Sequence, residues 1–135
     1  MDQIQSGLVG ESSEIVTDEL TAASYDSGLV SAFATPAMVG LMESAAFLAT
    51  KEYLPEGQTT VGVEVNIRHL AATPVGMQVH ARAELVRVDG RRLFFAVEAW
   101  DEVEKIGEGT HTRMLVDEAR FNARFEEKRS KVNRV

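Results

Sequence analysis

Cysteine is absent from this chain, which removes disulfides, thiolate metal sites and cysteine nucleophiles in one stroke. Histidine is scarce too: the three residues, at positions 69, 80 and 111, have no metal-ligand spacing, so no metal centre is expected. No stretch approaches the roughly 20 apolar residues needed to cross a bilayer. The first twenty residues carry Asp2, Glu11, Glu14, Asp18 and Glu19, with neither a basic lead nor an apolar run, so they do not read as a signal peptide. Positive charge is also short. The net charge is −7, with 8 basic residues against 17 acidic up to Val116 and 6 against 4 beyond it. Such a field repels a phosphate backbone, so no nucleic-acid partner is expected, and a cytoplasmic protein without membrane contact is the default.

What is present suits one compact domain spanning 1–135: the length and a 44% hydrophobic content suffice for a real core. Residues 1–9 read as a loose lead and Glu11 to Leu20 as a first strand. The small and polar residues between Thr21 and Ala34 suggest a loop, of a length that often covers a site. Thr35 before Pro36 fits an N-cap with proline at the first helical position. Met38, Leu41, Met42, Ala45, Leu48 and Ala49 then recur at helical spacing to about Tyr53, which makes this helix mostly buried.

The remainder reads as antiparallel strands. From Thr59 to Leu70, Val61, Val63, Val65, Ile67 and, by parity, His69 share an apolar face, with Gly62, Glu64, Asn66 and Arg68 opposite. A second strand follows from Met77, and Asp89-Gly90 signals a two-residue hairpin. Arg92 to Asp101 and Lys105 to Val116 supply two more. A terminal helix over 117–131 spaces Phe121 and Phe125 to dock four residues apart. One unusually buried helix among long strands predicts an α+β architecture, a sheet of five or six strands curled around that helix.

Glu43 is the residue that this pattern does not explain, because a carboxylate on a face built for burial needs a partner or a task. Several segments carry a resemblance: Phe33 to Ala46, Ile67-Arg68-His69, Ala71-Ala72-Thr73-Pro74, Gly90-Arg91-Arg92-Leu93 and Gly107-Glu108-Gly109-Thr110-His111. Over roughly Phe33 to Phe125 the chain resembles hot-dog-fold thioesterases of the fluoroacetyl-CoA thioesterase type. The resemblance implies a hot-dog fold, a dimer whose sheets join edge to edge, and hydrolysis of acyl-CoA thioesters at that interface. Coenzyme A enters as part of the substrate, with no separate cofactor. It implies catalytic roles for Thr35, Glu43 and His69, and places Gly62 beside the bound thioester. The loop around Asp26 to Leu29 has no phenylalanine to match that family's aromatic lid, which points away from fluoroacetyl-CoA itself and leaves thioesterase chemistry in place.

Thioester hydrolysis needs activated water or a nucleophile, a base, and donors for the oxyanion. Glu43 suits general base or nucleophile, His69 proton shuttling, Thr35 positioning, and Gly62 close approach of backbone to the carbonyl. Each has a plain alternative: Thr35 as a simple N-cap, Glu43 paired with an arginine, His69 as a satisfied core histidine. Thr35 and Glu43 lie eight residues apart, about 12 Å along an ideal helix. Either the helix starts after Thr35 with a fold-back, or one site draws on two subunits. His111 and Arg113 either stabilise a strand or lie near the site. Arg68, Arg82, Arg87, Arg91 and Arg92 are candidates for the coenzyme A phosphates, with a solvated sheet as the alternative. A homodimer or a tetramer of such chains is expected. Two rival functions are a non-catalytic acyl-CoA binding or sensing module and an enoyl-CoA hydratase, the latter lacking its Asp and His before the helix.

Overall fold

The computed structural model describes residues 3–132. Strand β1 (Val9–Ile15) leads through a short turn of 3-10 helix (Asp18–Leu20) and a loop to helix α1 (Thr35–Lys51). Strands β2 (Gln58–His69), β3 (Gln78–Asp89), β4 (Arg92–Trp100) and β5 (Lys105–Asp117) follow, and helix α2 (Glu118–Ser130) ends the chain. The five strands form one antiparallel sheet in the order β1-β3-β4-β5-β2, so β1 and β2 are its edges.

Helix α1 buries Met38, Leu41, Met42, Ala45, Ala46 and Ala49 against the curled sheet. The sheet meets it with Val79, Ala81, Ala83 and Leu85 of β3 and Leu93, Phe95, Val97 and Ala99 of β4, alternate residues that all face inward. Each large side chain in this set contributes on the order of 1.5–3 kcal/mol by leaving water. Small residues let the layers close. At Gly10 a Cβ would run into the backbone of Ala45 and Ala49, so only glycine lets β1 lie directly on the helix. The opposite face of the sheet is a charged row set by register: Glu11, Arg82, Glu98, Glu108 and Arg68 sit level across β1, β3, β4, β5 and β2.

Several local expectations need correction. The segment before Val9 is anchored where described: Ile4 is buried, Gly7 N–H donates to the Leu85 carbonyl and Leu85 N–H to that of Leu8. Residues 1 and 2 lie outside the described residues. The first strand stops at Ile15, because Val16 turns into the core and its N–H bonds Met77. Helix α1 begins one residue earlier than its proline suggests: Ala34 is the N-cap and Thr35 is already helical. Asp89 pairs with Arg92, so the hairpin turn is Gly90-Arg91, with Gly90 at φ 60°. Asp117 caps α2 by accepting from Ala119 and Arg120 N–H, and Phe121 and Phe125 meet edge to face at 4.8 Å.

The correction with most consequence is in β2. The strand does not alternate throughout, because a bulge between Gly62 and Glu64 inserts one extra residue against β5. Before it, Thr60 and Gly62 face the helix; after it, Ile67 and His69 do. Strict period two puts Gly62 and His69 on opposite faces. The bulge puts them on the same one.

Candidate active site

The start of α1 is tied to the loop that follows β2. Phe33 N–H donates to the Thr73 carbonyl at 2.8 Å and Ala34 N–H to that of Leu20 at 2.7 Å. Because Ala34 is the cap, the Thr35 hydroxyl is not consumed in capping, and its Oγ1 meets His69 Nδ1 at 2.7 Å. His69 Nε2 is buried with no hydrogen-bond partner among the described residues. Burial holds the imidazole below its ordinary 6.5, against a weaker upward pull from the Ala71 backbone, so it is neutral at neutral pH. Phe33, His69, Leu70, Ala71 and Ala72 line an open depression of about 370 Å³ beside it.

Glu43 stands about 12 Å further along the same helix. Its side chain is 41% exposed, so the sequence reading of a buried acid fails within one protomer: position 43 faces the open side of α1, toward the β2 edge. The carboxylate has found an arginine all the same. Its Oε2 lies 3.9 Å from Nη1 of Arg113, which is itself buried on β5. Arg113 donates from Nε to Thr60 Oγ1 and from Nη2 to the Thr60 carbonyl, each at 2.9 Å, and from Nη1 to His111 Nε2 at 3.1 Å. His111 Nδ1 is 2.8 Å from the Glu64 carbonyl. A carbonyl only accepts, so His111 carries its proton on Nδ1 and accepts at Nε2. Burial first and Arg113 next hold His111 below its ordinary value, outweighing the pull of Glu64 and Glu43, and this keeps it neutral. Burial also lowers the Arg113 value, opposed by Glu43, yet a guanidinium stays charged.

Gly62 belongs to this second group. A Cβ there would fall 2.7 Å from Glu43 Oε2 and 3.1 Å from His111 Cε1, so the missing side chain makes room for the carboxylate. The chain therefore brings Thr35 to His69 and Glu43 to Gly62, and holds the two pairs apart. The helix has no fold-back after Thr35 to join them.

His111 and Arg113 are constituents of the site that the sequence reading left outside. Their signal was parity: 111 and 113 share a face with Leu115, and an arginine on a buried face needs an acid. The candidate phosphate arginines do not form one patch. Arg68 and Arg82 lie in the charged row, Arg87 pairs with Asp89 over the Phe94 ring, Arg91 donates to the Leu115 carbonyl, and Arg92 opens β4 between Asp89 and Met114. Among the described residues no cluster of three His, Asp or Glu could hold a metal, and no helix is long and apolar enough to cross a membrane.

The family model described as fluoroacetyl-CoA-specific thioesterase matches residues 16–119. A curated fluoroacetyl-CoA thioesterase of Streptantibioticus cattleyicolor is 46% identical over 96 residues, 71% of this chain and 69% of that protein. A solved structure of the fluoroacetyl-CoA thioesterase FlK superposes with a TM-score of 0.86 at 36% identity, covering 98% of this chain and 100% of that one. A thioesterase superfamily member of Thermus thermophilus superposes with a TM-score of 0.90 at 30% identity, covering 97% of each chain. A hot-dog-like protein from Thermanaerovibrio acidaminovorans, at 24% identity and a TM-score of 0.84, shares the fold.

Proposed function

The chain belongs to the fluoroacetyl-CoA-specific thioesterase family, and from that premise we propose that it hydrolyses small acyl-CoA thioesters in a site completed by two copies of itself. The observation that carries this reading is the division of the site along α1. Thr35 with His69 and Glu43 with Gly62 lie too far apart for one small thioester carbon to touch both within a protomer.

The free edge supports the two-copy assembly. Strand β2 is twelve residues long and exposes Val63 and Val65 to 47% and 39%. A long apolar edge of this kind templates pairing with another chain. Antiparallel pairing of β2 with its own copy, about a two-fold axis between Val65 and Asn66, sets Gly62 of one protomer opposite His69 of the other. Glu43 of one copy then faces Thr35 and His69 of the second.

In that site Glu43 takes a proton from water as the water oxygen attacks the carbonyl carbon. The C–S bond breaks, and the proton passes by way of His69 to the departing thiolate, leaving carboxylic acid and coenzyme A thiol. Thr35 holds the His69 ring and positions water. Attack by Glu43 itself, through a mixed anhydride, uses the same groups, and single turnover in oxygen-18 water distinguishes the two by whether label enters Glu43. The preference for a small acyl group rests on the depression beside Phe33 and Leu70. The loop around Asp26 to Leu29 offers Leu29, 98% exposed, and no phenylalanine in place of an aromatic lid.

The test is a panel of acyl-CoAs from acetyl and fluoroacetyl to long chains, with released thiol trapped by a chromogenic disulfide. Release fastest on short chains and lost in Glu43→Ala supports the reading. Binding without release, as a sensing module gives, overturns it.

A further inference from the structure

Arg113 is more firmly built than a strand-stabilising residue requires. Of its five N–H donors three are committed, to Thr60 Oγ1, the Thr60 carbonyl and His111 Nε2. The third bond depends on His111 being an acceptor there. That in turn is fixed by the Glu64 carbonyl, which occupies Nδ1–H from the bulge of β2. Thr60 and His111 are neutral, so none of these bonds offsets the charge of a buried guanidinium. The carboxylate within ion-pair reach of it is Glu43, at 3.9 Å. That separation is beyond a hydrogen bond, so the arginine supplies its field without closing either Glu43 oxygen to a water proton.

We infer that Arg113, clamped by His111 and Thr60, is a positioning residue that holds the Glu43 carboxylate in place over Gly62. The inference rests on the reading of Glu43 as the reacting carboxylate. Gly62 leaves the space that the carboxylate occupies and Arg113, its cross-strand neighbour on β5, draws the carboxylate onto the same sheet face, so its location is set by two strands, and the helix that carries it supplies the backbone.

Steady-state kinetics on the full-length enzyme test this. Arg113→Met is expected to lower kcat by at least about 30-fold with KM within about threefold, because the lost interaction acts on the chemical step. Arg113→Lys, which restores charge without the fork, is expected to recover about tenfold of that loss. In a Glu43→Gln background Arg113→Met is expected to cause no further loss, since the two act through each other. An Arg113→Met enzyme with wild-type kcat, a penalty of full size in the Glu43→Gln background, or a rise confined to KM overturns the proposal. A Glu43→Gln enzyme as active as wild type instead removes the premise about Glu43. Should Arg113→Met not fold, Thr60→Val removes the Nε acceptor alone and gives the same split between kcat and KM at smaller amplitude; unchanged kcat there also overturns the inference.

Discussion

The two ends of the open face of α1 solve opposite electrostatic problems. At Thr35 two neutral groups meet, a hydroxyl and an imidazole kept uncharged by burial, and they are positioned by a loop that ties Phe33 to Thr73. At Glu43 a charge stands partly in solvent, and its counter-charge is buried behind it in a network of neutral acceptors. One end is suited to passing a proton, the other to holding a negative charge in place. A hydrolase needs both. Their separation within one chain is what the two-copy site proposed above would bridge.

The sharpest way to break this comparison is to disable each end in a different subunit. Glu43→Ala and His69→Ala homodimers are both expected to be inactive. After mixing and reassortment they should regain about one quarter of the wild-type rate, since half the dimers then carry one complete site of two. Thiol release measured on the mixture decides it, and no recovery would place both ends in one protomer's site.

A smaller effect is expected from adding one methyl group at either of two glycines. Gly62→Ala pushes on the far end of the Glu43 side chain, which can swing away, so activity should fall about 10- to 100-fold with little change in melting temperature. Gly10→Ala pushes on the helix backbone, which cannot yield as easily, and should cost about 1–3 kcal/mol of stability in a denaturant titration. Equal thermal effects at the two positions would mean that Glu43 is not free to move.

Next comes Thr35→Val, which keeps shape and deletes the hydroxyl on His69. The expected loss in kcat is about tenfold, and Thr35→Ser should recover most of it. The smallest effect is on stability against pH. Burial holds both His69 and His111 below 6.5 in the fold, so below that pH the unfolded chain binds more protons than the native one. Melting temperature should therefore decline as pH falls below 6.5, and His69→Gln should flatten part of that decline. A flat profile for the wild type would contradict the burial of both rings.

Much of the architecture was legible from periodicity. The alternation in β3 and β4 and the apolar spacing of α1 each report a face that must be buried, and those faces met as expected apart from Leu48, which is exposed; the phenylalanines of α2 meet each other, but that helix buries no residue. Thr35, Glu43, Gly62 and His69 stood out through family resemblance and through one acid in an apolar helix. What the sequence concealed was geometry that depends on a partner strand. Whether Val63 is bulged is decided by pairing with Thr112 and Arg113 of β5, 49 and 50 residues further along the chain. The cap shifted from Thr35 to Ala34 because backbone bonds from Phe33 and Ala34 fix where the first turn begins. Arg113 was left between stabilising a strand and lying near the site, since its use follows from the inward parity of β5 and the room left by Gly62.

The irregularity at Val63 acts as a phase shifter for everything downstream of it in β2. Removing or adding a single residue between Gly62 and Glu64 would rotate either Gly62 or His69 to the solvent side, along with its neighbours, while leaving helix, core and remaining strands intact. This part of the chain should therefore tolerate exchanges of side chain far better than changes of length. Among natural variants, a one-residue deletion here is expected to mark proteins that keep the architecture and have given up the chemistry.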